Sequence, residues 1–176
     1  MALQLTNEWD KVFPKSEKVN HRKVSFKNHF GIKLAADLYE PKDTNGRLPA
    51  IAVAGPYGAV KEQSSGLYAQ EMAERGFVTL AFDPSYTGES GGEPRYVTSW
   101  DLNVEDFQAA VDYLCSLENV VRIRFRLLAC VVGAEWRCRR RVLIRGLRRR
   151  FVRRCMICRG WRGMGILTKA ILRRRD

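Results

Sequence analysis

The sequence of 176 residues is short of several features that would assign it to a functional class at once. It has no apolar run of membrane-spanning length, so no membrane span is predicted. Its first 18 residues are polar and lack the apolar core of a signal peptide, which predicts a cytoplasmic protein. It has only two histidines, His21 and His29, and both precede the apolar runs described below.

Acidic residues are nearly absent after Val120. Residues 121–176 contain 2 acidic and 19 basic residues, 18 of which are arginine, whereas residues 1–120 contain 17 acidic and 12 basic residues. Four of the five cysteines also lie after Val120, and the overall charge of +12 hides this division. We therefore predict an arm at 1–19, a folded unit at 20–120, and a basic tail at 121–176 that is not a native domain.

The folded unit has the pattern of an α/β protein. Leu48–Ala54 and Phe77–Phe82 are continuous apolar runs joined by a helical stretch, which is typical of parallel strands buried on both faces. A hairpin and a second amphipathic helix complete the pattern. The predicted elements are strands Val24–Lys27, Ile32–Tyr39, Leu48–Ala54 and Phe77–Phe82, and helices Ser64–Arg75 and Asp101–Leu117.

Residues 20–120 resemble the amino-terminal part of an α/β-hydrolase, in its dienelactone-hydrolase-like branch. The resemblance rests on four stretches: the strand pair Val24–Tyr39, the strand entering Gly55-Pro56-Tyr57-Gly58, the run Lys61–Ala69, and the run Gly76–Gly92. It implies that the intact relative uses a Cys or Ser nucleophile on a small ester- or lactone-like substrate. It implies no cofactor and no metal.

The resemblance implies an oxyanion-binding turn after the strand Leu48–Ala54. The candidates are Gly55, Pro56, Tyr57 and Gly58, with the backbone N–H of Tyr57 as the donor. Glycines let a backbone approach a substrate closely, and a fixed N–H stabilises charge that develops in the transition state. A plain tight turn after a buried strand is the alternative interpretation.

A second candidate region is the loop Asp83–Ser90, with Asp83, Gly88, Glu89 and Ser90 as residues of the active-site rim. It follows the strand Phe77–Phe82 and, by the resemblance, flanks the active-site entrance. The alternative is a purely structural loop in which Asp83, Thr87 or Ser90 binds backbone N–H groups.

The catalytic part of the pattern is missing from the sequence. The family places its nucleophile on a Gly-x-Ser/Cys-x-Gly elbow after the fifth strand, and the acid and histidine follow it. No such pentapeptide occurs, and Cys130 has Leu128 and Val132 where glycines are needed. No catalytic residue is therefore expected in this chain. Since no fifth strand is predicted after Val121, the sheet is expected to be incomplete, with Leu48–Ala54 at an open, aggregation-prone edge.

A shift of reading frame explains the unusual tail. Read one base out of register, the codons of Cys130 to Ala134 allow Cys-Gly-Gly-Gly, which has the character of a nucleophile elbow. The alternative is a functional Arg-rich tail that binds nucleic acid non-specifically, through charge and bidentate contacts to phosphate. A zinc site is not predicted, because only Cys155 and Cys158 have the usual ligand spacing.

Overall fold

The structure, a computed structural model, describes residues 8–129 except 43 and 45. Its elements, in chain order, are β1 (Val19–Lys27), β2 (Lys33–Pro41), β3 (Leu48–Ala54), α1 (Ser64–Glu74), β4 (Val78–Phe82), α2 (Trp100–Ser116) and β5 (Val120–Ala129). Predictions for residues 130–176 lie outside the described residues. No helix of the described part is both long and apolar enough to cross a membrane.

The strands form one mixed sheet in the order β1-β2-β4-β3-β5. β1 pairs with β2 and β2 with β4 in antiparallel fashion, whereas β3 is parallel to both β4 and β5. The parallel pair joined by a helical crossover was predicted from the two apolar runs and is confirmed. The α/β class is confirmed with it.

The two helices cover opposite faces of the sheet. Ala50, Ala52 and Ala54 of β3 belong to the core that includes Leu114 of α2. Ile51 and Val53 belong to the core that includes Ala69 and Ala73 of α1. Because successive residues of a strand face opposite sides, a strand apolar at every position is one that is covered on both faces.

The expectation that no strand continues the sheet after Val121 is wrong. β5 runs from Val120 to Ala129 and pairs in parallel with β3 over most of its length. Both edges of β3 are therefore paired, and the predicted open edge of β3 does not exist. The sequence carries the signal for β5, because apolar residues alternate there with Arg122, Arg124 and Arg126. The composition of the tail obscured this period of two.

Residues 8–18, the described part of the chain before β1, form a docked arm without helix. The buried side chain of Phe13 is its main apolar anchor, and the indole N–H of Trp9 donates to the Phe13 carbonyl at 2.8 Å. Gln70 of α1 fastens the arm twice: its amide donates to Pro14 O at 3.1 Å, and its carbonyl accepts from Ser16 N at 3.1 Å.

A methyl group added to Gly66 tests the close packing at the start of α1, where both the Lys61 carbonyl and the arm residue Phe13 approach the helix. An ideal Cβ at Gly66 would lie 2.3 Å from the carbonyl oxygen of Lys61 and 3.0 Å from Phe13 Cζ. Since a backbone atom cannot yield cheaply, Gly66→Ala should destabilise the fold by about 1–3 kcal/mol, measured by urea unfolding. Gly91→Ala is the matched control, because its Cβ meets nothing closer than 3.4 Å. Equal stability of the two variants would contradict this packing.

Candidate active site

The carboxyl ends of the three parallel strands lie level at one edge of the sheet. Ala54 of β3 is in register with Phe82 of β4 on one side and with Ala129 of β5 on the other. The turn Gly55–Gly58 begins directly after Ala54, and the loop Asp83–Ser90 begins directly after Phe82. The structure thus brings the two predicted site segments together at this edge, which is where open α/β sheets bind ligands.

The turn after β3 presents a backbone donor. Ala59 N–H donates to Pro56 O at 2.9 Å and closes the turn. Within the described residues, no group accepts the N–H of Tyr57. The Tyr57 side chain is 69% exposed. A turn closed by its own hydrogen bond, with an N–H left open, can bind an anionic oxygen.

Asp83 joins the loop after β4 to the segment after the turn. Its side chain is fully buried, and Oδ1 accepts the backbone N–H of Lys61 at 2.7 Å. Oδ2 accepts the backbone N–H of Glu89 at 2.9 Å and lies 3.2 Å from the Lys61 ammonium. A Cβ at Gly88 would lie 2.2 Å from Oδ2, so only glycine fits beside this carboxylate. Asp83 therefore binds backbone donors, as the structural interpretation of this loop expects.

Ser90 and Arg95 hold the far end of the same loop. Ser90 Oγ donates to the Asp83 carbonyl at 2.7 Å and accepts the N–H of Ala35, on β2, at 2.9 Å. The Arg95 guanidinium donates to the carbonyl of Gly88 at 2.5 Å and to the carbonyl of Ser90. The loop is thus tied to the sheet as well as to itself.

Lys61 places a buried positive charge between the two segments. Its side chain has no exposed area, and its ammonium donates to Glu89 Oε2 at 2.6 Å, to Asp83, and to Glu62. Burial alone would lower the pKa of Lys61, but the charge of Asp83 and the hydrogen bonds to Glu62 and Glu89 outweigh it, so the pKa is raised. Lys61 therefore stays charged.

Lys23 of β1 extends this charge network to the arm. Its ammonium donates to Glu89 at 3.1 Å and to Asp10 Oδ2 at 2.5 Å. Burial raises the pKa of Asp10, but hydrogen bonds from Lys11 and Lys23 outweigh it and lower the value to about 2. Burial likewise raises the pKa of Glu89, but the hydrogen bond and charge of Lys61 outweigh this effect, so the pKa of Glu89 is lowered. Ion pairs thus link the arm to the rim of the site.

Both histidines are bound to carboxylates. His21 Nε2 lies 2.9 Å from Oδ1 of the buried Asp37, whose Oδ2 lies 3.0 Å from the Lys11 ammonium. His29 is 82% exposed, and its Nδ1 lies 2.9 Å from Glu105. His21 also packs against the ring of Tyr39, with 4.9 Å between the ring centroids, but the buried Tyr39 hydroxyl has no hydrogen-bond partner among the described residues. Within the part of the chain that the structure describes, neither imidazole is hydrogen-bonded to a hydroxyl or thiol.

A second buried polar group fixes the loop after β4 to α2. Oδ2 of Asp106 accepts the Ser85 N–H at 2.7 Å. Oδ1 accepts the Ser85 hydroxyl at 2.8 Å and the Asn28 amide at 2.9 Å. Burial raises the pKa of Asp106, although these three donors oppose the shift. Asp106 therefore resembles Asp83 in burial and in binding this loop, but it holds the side facing α2.

Three carboxylates of the network lie close enough to suggest a metal site. Oxygens of Asp10, Glu62 and Glu89 all lie within 4.8 Å of one another. Each of these carboxylates already binds a lysine ammonium: Asp10 that of Lys23, Glu62 that of Lys61, and Glu89 both. The lysines supply the positive charge that such a cluster requires.

The lysine network is the part of the site that sequence reasoning missed. Lys23 and Lys61 have side chains that are 3% and 0% exposed, although lysine is ordinarily a surface residue. Their partners come from the arm, from the segment before α1 and from the loop after β4. The one local signal is Lys61 beside Glu62, which is also an ordinary surface pattern.

The comparisons with known proteins agree with this geometry. The family of X-Pro dipeptidyl-peptidases (S15 family) matches residues 31–147. The chain is 69% identical to the protein PA2218 of Pseudomonas aeruginosa over 129 residues, which are 73% of this chain and 35% of that protein. It is 42% identical to the protein YcjY of Escherichia coli over 120 residues, which are 66% of this chain and 39% of that one. The chain thus spans little more than a third of the length of these relatives.

Solved structures show the same fold. The crystal structure of PA2218 matches with a TM-score of 0.70 and 70% identity, over 72% of this chain and 40% of that chain. The α/β hydrolase GrgF from a Penicillium species matches with a TM-score of 0.58 and 24% identity, over 62% of this chain and 37% of that one, which shows the fold alone.

The fold is that of the α/β-hydrolases, as the resemblance implied. The chain belongs to the X-Pro dipeptidyl-peptidase family, S15. The matched range continues to residue 147, beyond the end of the resemblance at residue 120.

The lowered pKa of Asp10 predicts a specific dependence of stability on pH. Its folded-state pKa of about 2 lies below the ordinary 3.8, so its stabilising contribution is fully present above about pH 4 and is lost as the pH falls toward 2. The difference in Tm between the wild type and Asp10→Asn should therefore shrink over that range. Asp112→Asn, at an exposed carboxylate, is the control and should show little difference at any pH. A constant difference for Asp10→Asn from pH 6 to pH 2 would refute the ion pair.

Proposed function

We propose that this chain is a member of its family that cannot catalyse, and that its intact relatives hydrolyse small ester- or lactone-like substrates, as in the dienelactone-hydrolase-like branch. The observation that supports hydrolysis by the intact relatives is the N–H of Tyr57, which has no acceptor among the described residues and lies in a closed turn at the carboxyl edge of the sheet. An N–H held in this way is suited to the negative oxygen that forms when a nucleophile attacks a carbonyl.

The same turn would suit an ester, a lactone or a peptide bond, because all three pass through a tetrahedral oxyanion. The family description names X-Pro peptides, and the dienelactone-hydrolase-like pattern of Gly55–Gly58 and Gly76–Gly92 favours esters and lactones. The turn itself therefore does not distinguish these substrate classes, and the preference for esters and lactones rests on the resemblance.

Catalytic inactivity follows from the residues of the chain. A nucleophile needs an adjacent base, and the base needs an orienting partner. His21 has the orienting partner, Asp37, but is hydrogen-bonded to no hydroxyl or thiol among the described residues. By chain order, both histidines also precede the strand that should carry the nucleophile. The sequence has no elbow pentapeptide to supply one.

The position of β5 is consistent with the hypothesis of a shifted reading frame. In the family the nucleophile elbow directly follows the fifth strand. The structure describes β5 from Val120 as far as Ala129, the last described residue, and the shifted reading of Cys130 to Ala134 as Cys-Gly-Gly-Gly begins after it in the sequence. We therefore propose that the frame changes before the elbow, so that an Arg-rich tail replaces the catalytic residues. The nucleotide sequence across codons 115–160 tests this directly.

We expect the purified chain to show no turnover of p-nitrophenyl acetate, and none of an X-Pro p-nitroanilide. Without a nucleophile–base pair, the oxyanion turn has no tetrahedral intermediate to stabilise. The measurement is the steady-state release of p-nitrophenol or p-nitroaniline, compared with buffer. Saturable turnover of either substrate would show that the chain contains a catalytic group after all.

The control for this assay is the protein made from a gene with the frame restored. It should hydrolyse the ester, and Tyr57→Pro, which removes the N–H, should lower its kcat by about 100- to 1,000-fold. Tyr57→Phe keeps the N–H and should retain most of the activity. An inactive restored protein would reject the frame hypothesis.

Non-specific binding of nucleic acid is a second candidate function, favoured by the 18 arginines after Val120. If charge alone binds, affinity should fall steeply with salt, by about 1,000-fold or more between 50 and 200 mM when six or more phosphates are contacted. It should fall equally for oligonucleotides of different sequence, measured by fluorescence anisotropy. A chain truncated after residue 129 is the control. A preference for one sequence that persists in high salt would contradict binding through charge alone.

A further inference from the structure

We propose that Asp83 is a positioning residue that holds the oxyanion turn in its working geometry, with the Lys61 ammonium as its counter-ion. The inference rests on the proposed function, since it takes the turn Gly55–Gly58 as the oxyanion site. It assigns Asp83 no contact with substrate. Its role is to connect the two segments that flank the site.

The carboxylate of Asp83 binds both segments at once, with a different oxygen for each backbone. Oδ1 accepts the N–H of Lys61, three residues after the turn, at 2.7 Å. Oδ2 accepts the N–H of Glu89 in its own loop at 2.9 Å. Asp83 itself directly follows β4, so its position is set by the sheet. The carboxylate therefore holds the Lys61 backbone, which follows the turn, at a fixed distance from the end of β4.

A short series of turns carries this restraint from Lys61 to the turn itself. Ala59 N–H donates to Pro56 O at 2.9 Å, and Gln63 N–H donates to Val60 O at 3.1 Å. Lys61 lies within the second of these turns, two residues after Ala59. A shift of the Lys61 backbone would consequently move Ala59 and open the bond that shapes the oxyanion turn.

The arrangement requires a charged carboxylate. Oδ2 lies 3.2 Å from the Lys61 ammonium while it accepts an N–H, and both Asp83 and Lys61 are fully buried. An amide in place of the carboxylate would offer one acceptor oxygen for these donors and would turn an NH₂ group toward one of them. A protonated or amidated residue 83 thus cannot hold both segments.

The experiment is amide hydrogen exchange in the full chain, comparing the wild type with Asp83→Asn. The reporter is the N–H of Ala59, whose acceptor is Pro56 and not the substituted residue. Exchange of the β3 amides of Ile51 and Val53 measures the stability of the sheet. We expect Ala59 to exchange at least about tenfold faster in Asp83→Asn after correction for any change in β3.

Asp106→Asn is the matched control. Asp106 is equally buried and binds the same loop through Ser85, but none of its hydrogen bonds reaches residues 55–61. It should leave the exchange of Ala59 unchanged relative to β3. If Ala59 exchanged equally fast in the two variants, Asp83 would stabilise the loop only in a general way, and the proposal would be overturned. Unchanged exchange of Ala59 in Asp83→Asn would also overturn it.

Gly88→Ala provides an independent variant if Asp83→Asn does not fold. Its Cβ would lie 2.2 Å from Asp83 Oδ2, so it displaces the carboxylate without removing its charge. Faster relative exchange at Ala59 is again expected, and unchanged exchange would overturn the proposal. Neither readout depends on catalysis, so a failure here is distinct from a failure of the proposed function, which ester turnover tests.

Discussion

The arrangement of the site depends on one buried ion pair, that between Lys61 and Asp83. Both side chains are fully buried, so the folded state must compensate the loss of hydration at two charges. Hydrogen bonds compensate part of this loss: Asp83 accepts two backbone N–H groups, and the Lys61 ammonium also binds Glu89 and Glu62. Burial still raises the pKa of Asp83, although Lys61 and the two N–H groups oppose the shift. Removing one partner of such a pair commonly costs about 3–5 kcal/mol, because the other charge is left without compensation. Loss of either Lys61 or Asp83 is therefore expected to disturb both loops together.

The sheet provides the fixed frame on which that pair depends. β3 is covered on both faces and paired on both edges. The core and the neighbouring strands therefore fix the position of Ala54, from which the turn begins. β4 does the same for Asp83. The two loops can be positioned by a few hydrogen bonds only because the strands before them are already held by the core.

Most of the sheet could be predicted from local pattern, and β5 shows where that reasoning fails. Continuous apolar runs identified β3 and β4, because strands buried on both faces are apolar at every position. β5 alternates apolar residues with arginine, which predicts a strand, whereas the strongly basic composition that begins at the same point predicts an unstructured tail. Composition describes a segment as a whole, whereas strand formation depends on the order of its residues.

The position of the site could be predicted, but its charge network could not. The turn Gly55–Gly58 and the loop Asp83–Ser90 follow apolar strands, which is a local feature of the sequence. Lys23 and Asp10 belong to different elements from Glu89, and nothing near them in sequence indicates that they meet. Their association arises from the antiparallel β1–β2 hairpin and the docked arm, which are tertiary features.

Fold and chemistry are separable in this chain because they draw on different residues. The hydrogen bonds and ion pairs that hold the turn Gly55–Gly58 and the loop Asp83–Ser90 join residues between Asp10 and Asp106. The catalytic residues of the family belong after β5, beyond Ala129. A change of sequence there would remove a nucleophile and base without removing any hydrogen bond of the Lys61–Asp83 network. The turn Gly55–Gly58 could therefore keep its geometry whether or not the chain catalyses, so its geometry alone does not measure activity.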